Sequence, residues 1–343
     1  MVYFGQEDDR QRRESYSSIV SRAQKIERVT VVNPRGGSYK YDIYRKNVLG
    51  DGTFGSVFEG FCHTSRQTIA VKVVTKKKLK RGDNTSQLLE AKYLKAVDHF
   101  HIVKLFNTFE NKHRFYMFME KGDTTMLAEI LTSKEKRFNE RTARLAMRQV
   151  VDAIQYLHNH NIVHGDIKPE NVLFQKRLQV EPICLAKLID FGYARTIGNL
   201  EKRKSTKGTA YYAAPEVLGR KLHDRSIDMW SLGVLLLVSL TGKFPFTGDR
   251  KEDILGNIKE KLESWNFLRI YEMRFNLSKA AISLIKKLLE VYPERRLSAT
   301  AMLDHMWFRN PQLNKDYEIL KKRINRNYSS NNRARRASEK FNH

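Results

Sequence analysis

The run His164-Gly165-Asp166-Ile167-Lys168-Pro169-Glu170-Asn171, followed nineteen residues after Asn171 by Asp190-Phe191-Gly192, holds the residue types that a phosphoryl transfer needs. Asp166 is placed to accept the proton of an attacking hydroxyl, and Asn171 and Asp190 offer hard oxygens to Mg²⁺. Lys168, two residues beyond the base, can touch the transferred phosphate. Either triplet alone recurs by chance on solvated loops. Their order, spacing and company make chance a poor account.

Those side chains need a frame, and its parts lie upstream. Leu49-Gly50-Asp51-Gly52-Thr53-Phe54-Gly55-Ser56-Val57 fits G-x-G-x-x-G-x-V between β-prone runs, Tyr44 to Leu49 and Ser56 to Gly60. Glycines there let a backbone turn lie over phosphates and donate N–H groups to them. The pattern by itself also fits a dinucleotide fold or a plain flexible hairpin. A strand, Ile69 to Val74, follows where the dinucleotide fold needs a helix, which excludes that reading. Lys72 alternates out of this apolar strand, so its ammonium must meet negative partners or stay hydrated. Glu90 is the candidate partner, in a predicted helix over Ser86 to Lys95 with Leu88, Leu89 and Leu94 at helical spacing. An exposed lysine and an exposed glutamate are the plain alternative, which the flanking motifs outweigh.

From about Tyr44 to Phe308 the chain resembles a eukaryotic protein kinase catalytic domain of the serine/threonine type. Further landmarks carry the likeness: Gly208-Thr209, Ala214-Pro215-Glu216, Asp228-Met229-Trp230-Ser231-Leu232-Gly233, and Arg296 within Pro293 to Leu297. Met119-Glu120-Lys121, Asn161 to His164, Lys187 to Arg195 and Arg225 to Trp230 are most similar to the protein kinase D branch of the calcium/calmodulin-dependent group. The resemblance implies an α+β, bilobal protein kinase-like fold, with a small β-rich N-terminal lobe and a larger, mainly α-helical C-terminal lobe. It divides the chain into a basic, flexible extension over 1–43, a catalytic domain over 44–308 and a basic, flexible tail over 309–343. The N-lobe would cover about 44–121 and the C-lobe about 122–308, although Asp316 to Ile324 could form a short helix.

What the resemblance implies for the site can be stated residue by residue. The glycine loop and Lys72, oriented by Glu90, would position ATP phosphates. Asn171 and Asp190 would hold Mg²⁺, Asp166 would deprotonate the acceptor hydroxyl, and Lys168 would stabilise the transferring group. Adenine would meet Val57, Ala70 and Leu173, with backbone groups of Glu120 and Gly122 reading its edge and Met119 gating the pocket behind. Glu216 would pair with Arg296 as a brace, and Asp228 would anchor the catalytic-loop backbone. The acceptor would be serine or threonine, since Lys168 and Thr209 match that version of the loop. Glu170 could pair one arginine upstream of the acceptor, while Val238 stands where some basophilic relatives carry a second acid.

Departures from the family pattern bear on regulation. Gly165 stands where many kinases have an arginine that pairs with an activation-loop phosphate. Glu201, among Lys202, Arg203 and Lys204 and ahead of Ser205 and Thr206, falls where the protein kinase D pattern has a serine. It is either a fixed acid standing in for a phosphate or an ordinary loop glutamate. The expectation is basal activity without obligatory phosphorylation of Ser205 or Thr206. Arg335-Arg336-Ala337-Ser338 forms a short arginine-directed acceptor site. The branch's lipid-sensing zinc modules would need cysteine clusters ahead of the kinase region, so direct activation by diacylglycerol is not expected.

Composition sets limits. A chain of 343 residues suits one two-lobed catalytic unit. Two cysteines, Cys62 and Cys184, are too few for a disulfide framework or a cysteine-based zinc site. The longest apolar run, Leu232 to Leu240, is too short to span a bilayer, and Met1-Val2-Tyr3 opens neither a signal peptide nor a myristoylation site. A cytoplasmic protein is expected, with nuclear entry through the basic tail left open. The formal charge of +25 would draw acidic surfaces, nucleic acid or anionic membranes, or it reflects solvated faces and tails. No aromatic interleaving of the kind that single-strand binding uses accompanies the tail. A kinase-fold scaffold without turnover is the remaining alternative, disfavoured because Lys72, Glu90, Asp166, Asn171 and Asp190 are all present.

Overall fold

Strand alternation explains the first of two units. In β4 (Gln67–Thr75), Ile69, Val71 and Val73 fall on one face, and Ala70, Lys72 and Val74 on the other. The first face joins Tyr41 and Ile43 of β2 (Ser38–Gly52) and Tyr116 and Phe118 of β6 (Arg114–Glu120) in one apolar cluster. With β1 (Ile26–Val32), β3 (Gly55–Cys62) and β5 (Leu105–Glu110) they form an antiparallel sheet in the order β1-β2-β3-β4-β6-β5. The second face of β4 carries the only charged residue of that strand, Lys72.

The computed structural model describes residues 25–32, 37–52, 55–76, 84–175, 184–196 and 208–322. Residues up to Ala91 with Lys104–Lys121 form one compact unit, and Lys92–Val103 with the chain from Gly122 onward form the other. Helix α1 (Asn84–Ala96) runs from the first set of residues into the second.

In the second unit, α3 (Glu140–Asn159) starts where the Asn139 carboxamide accepts from the Thr142 amide at 2.8 Å, and its apolar stripe is buried. Helix α5 (Ser226–Thr241) is buried on nearly all sides and stops at Gly242, whose left-handed φ of 67° would set any Cβ 2.4 Å from the Lys136 carbonyl. Around them lie α2 (Met126–Thr132), α4 (Pro215–Leu218), α6 (Lys251–Ser264), α7 (Asn266–Phe275), α8 (Lys279–Leu288) and α9 (Ala299–Leu303). Two small sheets complete the unit. β10 (Leu185–Leu188), β9 (Val172–Gln175) and β7 (Thr124–Thr125) form one, and β11 (Arg195–Thr196) pairs with β8 (Ile162–Val163) in the other. No helix among the described residues is long and apolar enough to cross a membrane.

Within two segments expected to be flexible, the described residues include regular structure. Ahead of Tyr44, β1 pairs with β2 from Ile26 opposite Tyr44 to Val32 opposite Ser38, and Val29 and Val31 are buried. Glu27 shares their face and accepts hydrogen bonds from Tyr116 Oη at 2.5 Å, Arg45 Nε at 2.6 Å and Arg114 Nη1 at 3.2 Å. After residue 308, the chain is helical over 311–322, here α10, five residues earlier than the expected start at Asp316. Asn310 caps it, accepting from the amides of Gln312 and Leu313 at 3.0 and 3.1 Å, and Pro311 opens its first turn. Leu313, Tyr317 and Leu320, spaced by four and three, are buried, and Asp316 pairs with Arg141 at 3.1 Å. Basic composition suggested tails; local apolar periodicity overrode it.

Candidate active site

The glycine hairpin, Lys72 and Glu90 lie in the first unit. Its β2–β3 hairpin shifts register between Tyr44 and Gly50 and is then paired to the tip, with Gly50 opposite Val57, Asp51 opposite Ser56 and Gly52 opposite Gly55, while Thr53 and Phe54 lie outside the described residues. A Cβ on Gly55, with φ of +152°, would stand 2.4 Å from the Val73 carbonyl, so the turn depends on glycine there. Leu49 is exposed and Ala70 buried, and Ala70 lies opposite Met119 in the sheet. The Glu120 amide donates to the Lys104 carbonyl at 2.9 Å. The Lys72 ammonium lies 2.8 Å from each carboxylate oxygen of Glu90, and both side chains are almost wholly removed from water. A buried ammonium held by one carboxylate is a fixed cation suited to phosphate oxygens.

Asp166, Lys168, Asn171 and Asp190 lie in the second unit. Asp228, entering from the first turn of α5, accepts from the backbone amides of His164 and Gly165 and from His158 Nε2, each at 2.9 Å. Burial pushes its carboxyl up, but these donors and the neighbouring histidines hold it below the usual carboxylate range. The loop thus fixed turns at Gly165, whose φ of +77° suits glycine, and delivers Asp166 into a nearly closed setting. There Asp166 Oδ2 accepts from Lys168 Nζ at 2.8 Å and from Asn171 Nδ2 at 2.9 Å. Its other oxygen, Oδ1, is buried without a hydrogen-bond partner. Burial opposes the Lys168 charge, yet Asp166, then Glu170 and Asp190, hold its ammonium above the ordinary lysine value.

Asp190 reaches the same place through the β9–β10 ladder. Leu188 lies opposite Val172, and the next amide, Ile189, donates to the Asn171 carbonyl at 2.9 Å. Asp190 itself takes a left-handed φ of 63° and its Oδ1 accepts from the Gly192 amide at 3.1 Å. The Asn171 amide nitrogen donates to the Asp166 backbone carbonyl and carboxylate, which assigns the other atom of its carboxamide as the oxygen acceptor. Leu173 lies against Gly122, where a Cβ would come within 2.9 Å of it. Glu216 and Arg296 form a buried two-pronged pair at 2.6 and 2.8 Å.

A family model described as protein kinase domain matches residues 43–308. The chain belongs to the protein kinase domain family. It is 37% identical over 293 residues to serine/threonine-protein kinase dkf-2 of Caenorhabditis briggsae, covering 85% of this chain and 24% of that protein. To serine/threonine-protein kinase D3 of Mus musculus it is 37% identical over 288 residues, covering 84% of this chain and 31% of that protein. To serine/threonine-protein kinase D2 of Rattus norvegicus it is 35% identical over 317 residues, covering 92% and 34%. The chain thus spans between a quarter and about a third of the length of these relatives.

The donor types of this family member, a carboxamide oxygen and a carboxylate, are hard oxygens of the kind that suit a divalent cation such as Mg²⁺, which commonly keeps water and phosphate oxygens in its other positions. Such an ion would neutralise charge on the migrating phosphoryl group. Of the other expected residues, Glu201, Ser205 and Thr206 lie outside the described residues, and only the backbone of Thr209 is described, in the short turn Gly208–Tyr212. Sequence reasoning passed over His158, a buried histidine in the last turn of α3 that completes the Asp228 anchor. It also passed over the proximity of Arg195 to the loop, its Nη1 lying 3.2 Å from where a Gly165 Cβ would be.

Proposed function

We propose that the chain is an ATP- and Mg²⁺-dependent protein serine/threonine kinase, transferring the γ-phosphoryl group to hydroxyls of protein substrates. The observation that carries this reading is Asp166: a buried carboxylate with one oxygen held by Lys168 and Asn171, and the other, Oδ1, left without a hydrogen-bond partner. Asp166 orients the acceptor and takes its proton; Lys168, kept charged by its acidic neighbours, meets the phosphoryl oxygens. Asn171 and Asp190 hold the metal, and Lys72, fixed by Glu90, holds nucleotide phosphates. The adenine contacts fall to Val57, Ala70, Leu173 and the backbone at Glu120 and Gly122, with Met119 behind.

Residues 44–308 form the catalytic domain in this reading, supported by the family match over 43–308. Glu170, whose field reaches the Lys168 ammonium, favours one arginine upstream of the acceptor. The +25 charge supports a further, salt-sensitive attraction to acidic surfaces. The reading is tested by transfer of labelled γ-phosphate from Mg-ATP to a positional peptide library. Asp166→Asn and Lys72→Met are each expected to reduce transfer at least about a hundredfold. Undiminished transfer in Asp166→Asn would remove the assigned base, and acidic or proline-directed peptide preference would remove the role given to Glu170.

A further inference from the structure

Residues 100–103 run beside β10 and are tied to it at several points. Leu188 N donates to the His101 carbonyl at 2.8 Å, Val103 N donates to the Leu188 carbonyl at 3.0 Å, and Lys187 Nζ donates to the Phe100 carbonyl at 2.7 Å. The His101 ring faces the Ala186 carbonyl through Nδ1 at 3.0 Å, which makes Nδ1 the protonated nitrogen and leaves Nε2 as an acceptor. Across from Nε2, at 3.1 Å, stands the hydroxyl of Tyr317, on the face that α10 buries. That hydroxyl also lies 2.7 Å from Asp152 Oδ2 on α3. It donates to that carboxylate and so bridges the His101 ring to α3. The Arg148 guanidinium covers the Tyr317 ring at 5.2 Å, and Leu313 and Leu320 are buried along the same helix.

β10 ends two residues before Asp190, and α10 lies beyond the last residue matched by the family model. We infer that Tyr317 is a positioning residue for phosphoryl transfer: through His101 it fixes β10, and through β10 the place of the Asp190 carboxylate. The path is continuous, from Tyr317 Oη to the His101 ring, from that ring and backbone to Ala186 and Leu188, and from Ile189 N to the Asn171 carbonyl. Each link is a hydrogen bond between buried or half-buried groups, where a lost donor leaves its acceptor unpaired. α10 thereby belongs to the frame of the site. The inference rests on the kinase reading for its effect on turnover, but its structural part does not.

The test is Tyr317→Phe, which keeps the ring and removes the proton. Its kcat for a serine peptide is expected to fall about five- to tenfold, the loss of one buried hydrogen bond, with peptide KM unchanged. The Mg²⁺ concentration for half-maximal activity is expected to rise severalfold. In the metal-free, nucleotide-free protein, the amides of Leu188 and Ile189 are expected to exchange about five- to tenfold faster, with those of α8 unchanged. Arg141→Gln, which breaks the α10 contact through Asp316, is the control and is expected to leave that exchange within about twofold of the parent. Unchanged exchange at Leu188 and Ile189, equal acceleration in α8, or the same effect from Arg141→Gln would each overturn the assignment. If the parent protein transfers no phosphate, the kinase reading fails, while exchange still decides whether Tyr317 holds β10.

Discussion

Arg296 offers the sharpest stability test. Its guanidinium is fully buried and stacks over Trp230, with 5.1 Å between Cζ and the ring centroid. Beyond the two Glu216 contacts, it donates through Nε to the Glu290 carbonyl at 2.6 Å, through Nη1 to the Ser226 carbonyl at 3.2 Å and through Nη2 to the Val291 carbonyl at 3.2 Å. Glu216→Ala removes only the carboxylate and leaves the buried guanidinium without its counter-ion. Breaking such a pair from one side costs about 3–5 kcal/mol. For a unit of about 150–250 residues, each kcal/mol moves the midpoint by about 2–4 °C, so the expected fall in Tm is about 6–20 °C. The assay is calorimetric melting at neutral pH. The same logic says that removing both charges hurts less than removing one. Glu216→Leu combined with Arg296→Met is expected to recover at least about half of the single-variant loss, because apolar side chains of similar size carry no desolvation cost. A single-variant loss below about 1 kcal/mol, in the range of exposed pairs, would refute the claim that burial sets the magnitude. So would a double variant as unstable as the sum of the singles.

Further outcomes follow from other sites. Gly165→Ala places a Cβ 3.0 Å from the Tyr193 carbonyl at a φ of +77° and is expected to cost about 1–2 kcal/mol, read as a lower melting midpoint. Glu27→Ala strips the acceptor shared by Tyr116, Arg45 and Arg114 and is expected to destabilise the first unit by about 1–3 kcal/mol, read by urea unfolding followed at a probe in the sheet. Stability is also expected to fall as pH drops from about 6.5 towards 4. Burial pushes His101 down to about 4, against the pull of Asp152, and lowers His99 as well. The unfolded chain then takes up protons that the folded one refuses, so this contribution is complete above about pH 6.5 and is lost as pH falls through the window. His101→Asn is expected to flatten the slope of Tm against pH between 4.5 and 6.5; an unaltered slope would assign it to other groups.

Much of the site was legible because its residues sit in short runs whose spacing is itself the chemistry. Asp166, Lys168 and Asn171 span six positions, and a tight loop brings them together with little help from elsewhere. Lys72 and Glu90 were readable as a pair because a lone charge on an apolar strand needs a partner. The edges of the fold were less legible. Net charge drew attention away from Val29 and Val31 and from Leu313, Tyr317 and Leu320, although both sets show the period of the element they form. The Asn310-Pro311 start of α10 was a readable capping signal.

The sequence by itself determined which groups are on offer: carboxylates at Asp166 and Asp190, ammonium groups at Lys72 and Lys168, a carboxamide at Asn171, a glycine turn and a family into which all of them fit. It could do so because these groups are set by residue type and by spacing along the chain. Tertiary structure alone decided which oxygen of Asp166 is held and which is left without a partner, and that Asp228 and His158 fix the loop. It alone decided, too, that Tyr317 meets His101, 216 positions away in the chain. Hydrogen bonds across such separations depend on how buried surfaces come together in three dimensions, and no local pattern of residues encodes that.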